Sequence, residues 1–208
     1  MIKDSGEGHI PSSFSIVDII NFLYQNVLHY DVNNPKDEDR DYFILSKGHG
    51  CAALYVVLEK FKFITSEDLS AYSTAQGILG GHPDVTKVPG IEASTGSLGH
   101  GFPTALGIAL GLKIKKQTNK VIALVGDGEC HEGTIWESAN VAANLKLNNL
   151  TVVVDWNGSA AQLMPLDALP KKWSSFGWNC FEVDGHDEKQ LGEAFKKIEE
   201  TNNVQPNV

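Results

Sequence analysis

The stretch Val121-Ile122-Ala123-Leu124-Val125-Gly126-Asp127-Gly128-Glu129-Cys130-His131-Glu132-Gly133 constrains the fold of this chain more than any other. An apolar run enters Gly-Asp-Gly, and an amphipathic helical pattern follows. A short apolar run bounded by glycines reads as a strand buried on both faces of a parallel sheet. Open α/β sheets place ligands beyond the carboxyl ends of such strands. There, Gly126 and Gly128 let the backbone approach a phosphate, and Asp127 offers a hard oxygen to Mg²⁺. Gly-Asp-Gly alone is also an ordinary turn. A second apolar run, Leu150 to Val154, ends in Asp155-Trp156-Asn157 and sets an amide oxygen at the end of the next strand.

The rest of the chain alternates in the same way. Ser15 is placed to cap a helix with the apolar face Ile16, Ile19, Ile20, Leu23 and Val27. Asn33 to Asp41 reads as a charged surface loop. Tyr42 to Leu45 is a short strand leading into Ser46-Lys47-Gly48-His49-Gly50 and a helix through Ala52, Ala53, Val56 and Val57. Ser66 to Tyr72 reads as a short helix, and Gly77 to Pro89 as a loop carrying Gly81-His82-Pro83. Ser94-Thr95-Gly96-Ser97-Leu98-Gly99-His100-Gly101 opens a helix of small and apolar residues around Ala105 and Ala109. Thr134 to Leu145 is the crossover helix between the two motif strands. A helix ends at Trp173 to Phe176, Cys180 to Val183 reads as a further strand, and Leu191 to Ile198 as a helix stopped by Asn202-Asn203.

Strands alternating with helices predict a doubly wound parallel α/β sheet with helices on both faces. Right-handed crossovers put the loops after the strands on one edge, collecting Asp127, Asn157 and His49. We expect a single domain over residues 1–208, truncated near Gln205-Pro206-Asn207-Val208, where such a sheet begins another strand. A net charge of −9 with no basic run argues against nucleic acid as the main partner. No apolar stretch reaches membrane-spanning length, and no secretory signal is seen. Cys51, Cys130 and Cys180 are an odd, widely spaced set, which fits a reducing, cytoplasmic setting.

Strand, Gly-Asp-Gly, helix, strand and Asn, in that order, resemble the thiamine-diphosphate and magnesium motif of the transketolase family. The resemblance extends over nearly the whole chain. The segments around His9, His49 and His82 are similar to the family's Ser-Gly-His-Pro, Gly-His-Ala and Gly-His-Pro signatures. The resemblance implies that His49 contacts the diphosphate and that His9 and His82 face the donor ketose. Imidazoles suit that work because they exchange protons and hydrogen bonds near neutral pH. It also implies that Leu98, in the Gly96-Ser97-Leu98-Gly99 loop, packs against the thiazolium, and that Glu132 sits at a subunit interface linking two cofactor sites.

Magnesium prefers one or two protein oxygens plus ligand phosphates. Asp127 and Asn157 fit that division, with the backbone carbonyl of Ser159 as a third protein ligand and N–H groups around Gly128 receiving phosphate oxygens. Two departures from the family stand out. After Asn157 the chain reads Gly158-Ser159-Ala160-Ala161, where the family more often has a bulky or basic residue. A whole transketolase is also about three times as long, with a pyrimidine-binding domain that this chain lacks. The expected function is therefore the diphosphate-binding half of a split transketolase. It transfers a two-carbon ketol unit between sugars, in a heterotetramer with a separate pyrimidine-binding chain. Two alternatives remain open at this point: an alpha-type subunit of a 2-oxoacid dehydrogenase, and a non-catalytic cofactor-binding or regulatory subunit.

Overall fold

The computed structural model describes residues 1–162, 164–200 and 204–208. Its centre is a parallel sheet in the order β1 (Tyr42–Leu45), β2 (Val121–Gly126), β3 (Leu150–Asp155). The register pairs Leu45 with Leu124 and Gly126 with Asp155, so all three strands end at the same edge. β2 is buried along its whole length. Its successive side chains serve opposite faces, so an unbroken apolar run is what a central strand requires. Ile122 and Leu124 enter one core with Phe43 and Leu45, while Val121, Ala123 and Val125 enter the other with Ile44 and Val152.

Helices cover both faces, as expected. The short α1 (Ile2–Ser5) and α2 (Ile10–Phe14) lead into α3 (Val17–Asn26), which packs with α4 (Cys51–Lys60) over the first core. α5 (Ser66–Ser70) follows, with a Thr65–Asp68 capping box fixing its start. The crossover helices α6 (Gly101–Lys115) and α7 (Gly133–Asn144) lie on the second face with α8 (Leu169–Ser175). α9 (Glu188–Glu200) returns against α3, where Phe195 meets Phe22. The small stripe Ile135, Ala139, Ala142 and Ala143 on α7 is core, which lets that helix approach the sheet closely. No helix among the described residues is long and apolar enough to cross a membrane.

Three local expectations are corrected. Ser15 does not cap a helix start: α3 begins after Ile16, and the Ser15 hydroxyl goes to Ser12 and Asp155 instead. Cys180 to Val183 forms no strand of its own, because only the backbones of Asn179 and Phe181 find partners, in residues 206–208. The loop before β1 is not purely a solvated face: Arg40 makes a two-pronged, largely buried pair with Glu92 at 2.7 Å per contact. The expected stop at Asn202-Asn203 lies outside the described residues. At the other end of that segment, Asn207 pairs in parallel with Thr151, alongside β3.

Candidate functional site

The loops after β1, β2 and β3 leave one sheet edge together, and each brings a predicted residue. Asp127 follows β2 and is buried; its Oδ1 accepts the Gly128 N–H at 2.7 Å and its Oδ2 the Gly158 N–H at 3.0 Å. One carboxylate thus caps the 3-10 turn Gly128–His131 and ties the loop after β2 to the loop after β3. Asn157 donates from Nδ2 to Asp155 Oδ2 at 2.9 Å and accepts the Ser159 N–H on Oδ1 at 2.9 Å. Those two bonds fix which end of the amide is oxygen. Ser159 therefore closes a turn on Asn157, and both are exposed. Asp127 and Asn157 bring hard, oxygen-only donors to adjacent loops, a set that suits Mg²⁺ and a diphosphate.

The histidines meet at the same edge. His49 lies in the 3-10 turn Gly48–Gly50 just after β1, half-buried, with its ring edge-on to that of His9 at 5.4 Å. His9 caps α2, its Nδ1 accepting the Ser12 N–H at 3.1 Å, so the neutral ring carries its proton on Nε2. His82 is exposed; a Cβ on Gly96 would stand 3.0 Å from its ring, so the two loops are in contact. Gly96 has φ +151°, a conformation that side chains rarely adopt. The same loop is fastened to β1 by the Thr95 hydroxyl, which donates to Leu45 O at 2.7 Å. Burial foremost, then the charges of Lys47, His9 and His82, hold the His49 imidazole down to about 4 against the pull of Asp155. His49 is accordingly neutral at pH 7.

Matched as a whole, residues 1–207 fit the family described as transketolase, thiamine diphosphate binding domain. The chain belongs to the transketolase family. It is 37% identical over 200 residues to an apulose-4-phosphate transketolase subunit of Phocaeicola vulgatus, covering 94% of this chain and 71% of that one. It is 36% identical over 197 residues to the 6-deoxy-6-sulfo-D-fructose transketolase subunit SqwG of a Clostridium species, covering 92% and 72%. Its fold superposes on the transketolase from Leishmania mexicana with a TM-score of 0.89 at 26% identity, covering 99% of this chain and 33% of that one. The chain thus spans about seven tenths of the two subunits and a third of the longer enzyme.

The remaining predicted residues line the transketolase motif loops. Ser97 is exposed and Leu98 half-buried, and the Leu98 carbonyl contacts His100 Nδ1 at 3.0 Å. Glu132 is exposed at the N-cap position of α7, where a carboxylate also complements the helix dipole. Sequence reasoning missed three charged groups. Glu129, 1% exposed, accepts Ser46 Oγ at 2.5 Å, Gly99 N at 2.8 Å and Gly126 N at 3.2 Å. Ser46 in turn accepts the Phe102 N–H, so one buried carboxylate links the start of α6 to the loops after β1 and β2. Burial pushes the Glu129 carboxyl above its ordinary value, with those hydrogen bonds and Lys47 opposing. The other two are Lys47 and Asp155, paired at 2.5 Å. A charged residue at the end of a buried strand was the available signal for Asp155, as was Lys47 between β1 and His49.

Proposed function

We propose that this chain is the diphosphate-binding subunit of a two-chain, thiamine-diphosphate-dependent transketolase. It works with Mg²⁺ and a separate pyrimidine-binding chain, as a cytoplasmic heterotetramer, and moves a two-carbon ketol unit from a ketose to an aldose. The observation that carries this reading is the meeting of the Asp127–Gly158 tie with the His9–His49–His82 cluster at one sheet edge. The names of two relatives as transketolase subunits support the split arrangement. Because those relatives are named for two different sugars, the likeness favours a reaction type over a particular sugar. We read residues 1–208 as one diphosphate-binding domain.

Thiamine diphosphate, when bound, supplies the carbon nucleophile and electron sink for ketol transfer. The chain's own residues bind, orient and exchange protons around it. Asp127, the Asn157 amide oxygen and the Ser159 carbonyl would hold the metal, and Gly126 and Gly128, lacking side chains, would let the backbone come close to the diphosphate. His49, neutral at pH 7, would hydrogen-bond the diphosphate without adding a charge. His9 donates from Nε2 toward the donor hydroxyls, with His82 beside it. Gly96 and Ser97 would bring Leu98 against the thiazolium, and Glu132 would face the neighbouring subunit.

The test is native purification with Mg²⁺ and thiamine diphosphate, identification of what copurifies, and a ketol-transfer assay. We expect a stoichiometric partner carrying a pyrimidine-binding glutamate domain. Activity should need both chains and be abolished by Asp127→Ala. Turnover by the single chain, or decarboxylation of a 2-oxoacid in place of ketol transfer, overturns the reading.

A further inference from the structure

One carboxylate oxygen joins the three elements that bring the site together. Asp155, the last residue of β3 and 5% exposed, accepts on Oδ2 from Lys47 Nζ at 2.5 Å, Ser15 Oγ at 2.7 Å and Asn157 Nδ2 at 2.9 Å. Lys47 stands two residues before His49. Ser15 closes α2, whose other end is His9. Asn157 is the candidate metal ligand. Lys47 is 1% exposed, and a buried ion pair is weakly stabilising compared with apolar residues of the same volume. Stability alone therefore does not account for this pair. An unrestrained carboxamide takes two nearly equivalent flips about its terminal torsion. Donation to Asp155, together with the Ser159 N–H on Oδ1, selects one of them, with Nδ2 turned inward and Oδ1 on the loop side.

We propose that Asp155, held by Lys47, is a positioning residue that sets the Asn157 carboxamide for the metal and keeps α2 and the His49 loop in step with it. In this reading Lys47 and Asp155 would act through Asn157 and not as metal ligands. The inference rests on the reading of Asp127 and Asn157 as metal ligands.

The test uses the chain copurified with its partner. Thermal unfolding is compared with calorimetric titration of Mg²⁺ at saturating thiamine diphosphate. Lys47→Met/Asp155→Leu replaces the pair by apolar side chains and removes the acceptor for Asn157. It is expected to melt close to the parent protein but bind Mg²⁺ at least tenfold more weakly. Lys47→Met/Asp155→Asn restores a neutral acceptor and is expected to bind within threefold of the parent. Parent-like Mg²⁺ affinity in a folded Lys47→Met/Asp155→Leu protein overturns the proposal. So does a tenfold loss in Lys47→Met/Asp155→Asn, which decides alone if the first variant does not fold. Asp127→Ala in the same assay separates the two levels. If it leaves Mg²⁺ binding intact, the metal-site reading itself fails. If it abolishes binding while Lys47→Met/Asp155→Leu does not weaken it, only the positioning role fails.

Discussion

The rings of His9 and His49 meet edge to face, with centroids 5.4 Å apart and planes inclined at 66°. They come from different elements, the start of α2 and the turn after β1, and His9 also caps its helix through Nδ1. One side chain thus caps a helix and also packs on the histidine of the candidate site.

Substitution at His9 separates those two roles. His9→Ala removes the cap and is expected to cost about 1 kcal/mol in urea unfolding, whereas His9→Asn keeps a good capping group and costs little. Both are expected to lower ketol transfer by a similar factor in the two-chain enzyme. A His9→Asn protein with full activity contradicts the proposed contact with the donor.

His49 gives a pH signature. Its folded value of about 4 lies below the ordinary 6.5, so the unfolded chain takes up the proton first as pH falls. Its contribution to stability is intact above about 6.5 and is lost on descending toward about 4. NMR titration of the ring should show a midpoint well below 6.5. Unfolding at pH 7 and pH 5 should show a smaller difference in His49→Gln than in the parent chain.

Glu129→Gln tests the buried carboxylate hub. The glutamine oxygen can still accept from Ser46 and Gly99, but its amide then faces the Gly126 N–H, donor against donor. One buried donor left without a partner costs about 1–3 kcal/mol at pH 7. The raised carboxyl value has a second consequence. Its stabilising contribution is present below the ordinary value of 4.5 and declines as pH rises through the folded value, a slope the variant lacks. Chemical denaturation across pH measures both.

Gly96→Ala places a methyl 3.0 Å from the His82 ring on a backbone at φ +151°. Strain of this kind costs about 1–3 kcal/mol, and His82 must shift to relieve the contact. Lower unfolding stability and a raised KM for the donor sugar are expected together. An unchanged KM removes His82 from the donor pocket.

Much of this was legible in the sequence. Val121 to Gly126 reads as a buried central strand, because a short unbroken apolar run closed by glycines suits a strand covered on both faces. Asp127, Asn157 and His49 each follow a strand, so parallel strands with helical crossovers bring them to one edge. Cys180 to Val183 has the same apolar look yet forms no strand, since pairing needs a neighbour that local pattern does not report. Ser15 looked like a helix cap because hydroxyls favour that position. Here it closes α2 instead, and its hydroxyl donates to the charged acceptor Asp155.

Local periodicity, reporting which faces are apolar and where glycines turn the chain, by itself determined the parallel α/β architecture and the edge where the site gathers. Only the tertiary structure decided the pairing of Lys47 with Asp155, the hub at Glu129 and the edge-to-face contact of His9 with His49. These contacts join residues distant in sequence. Strand register and burial set them: a charge removed from water must find its partner wherever the fold delivers one.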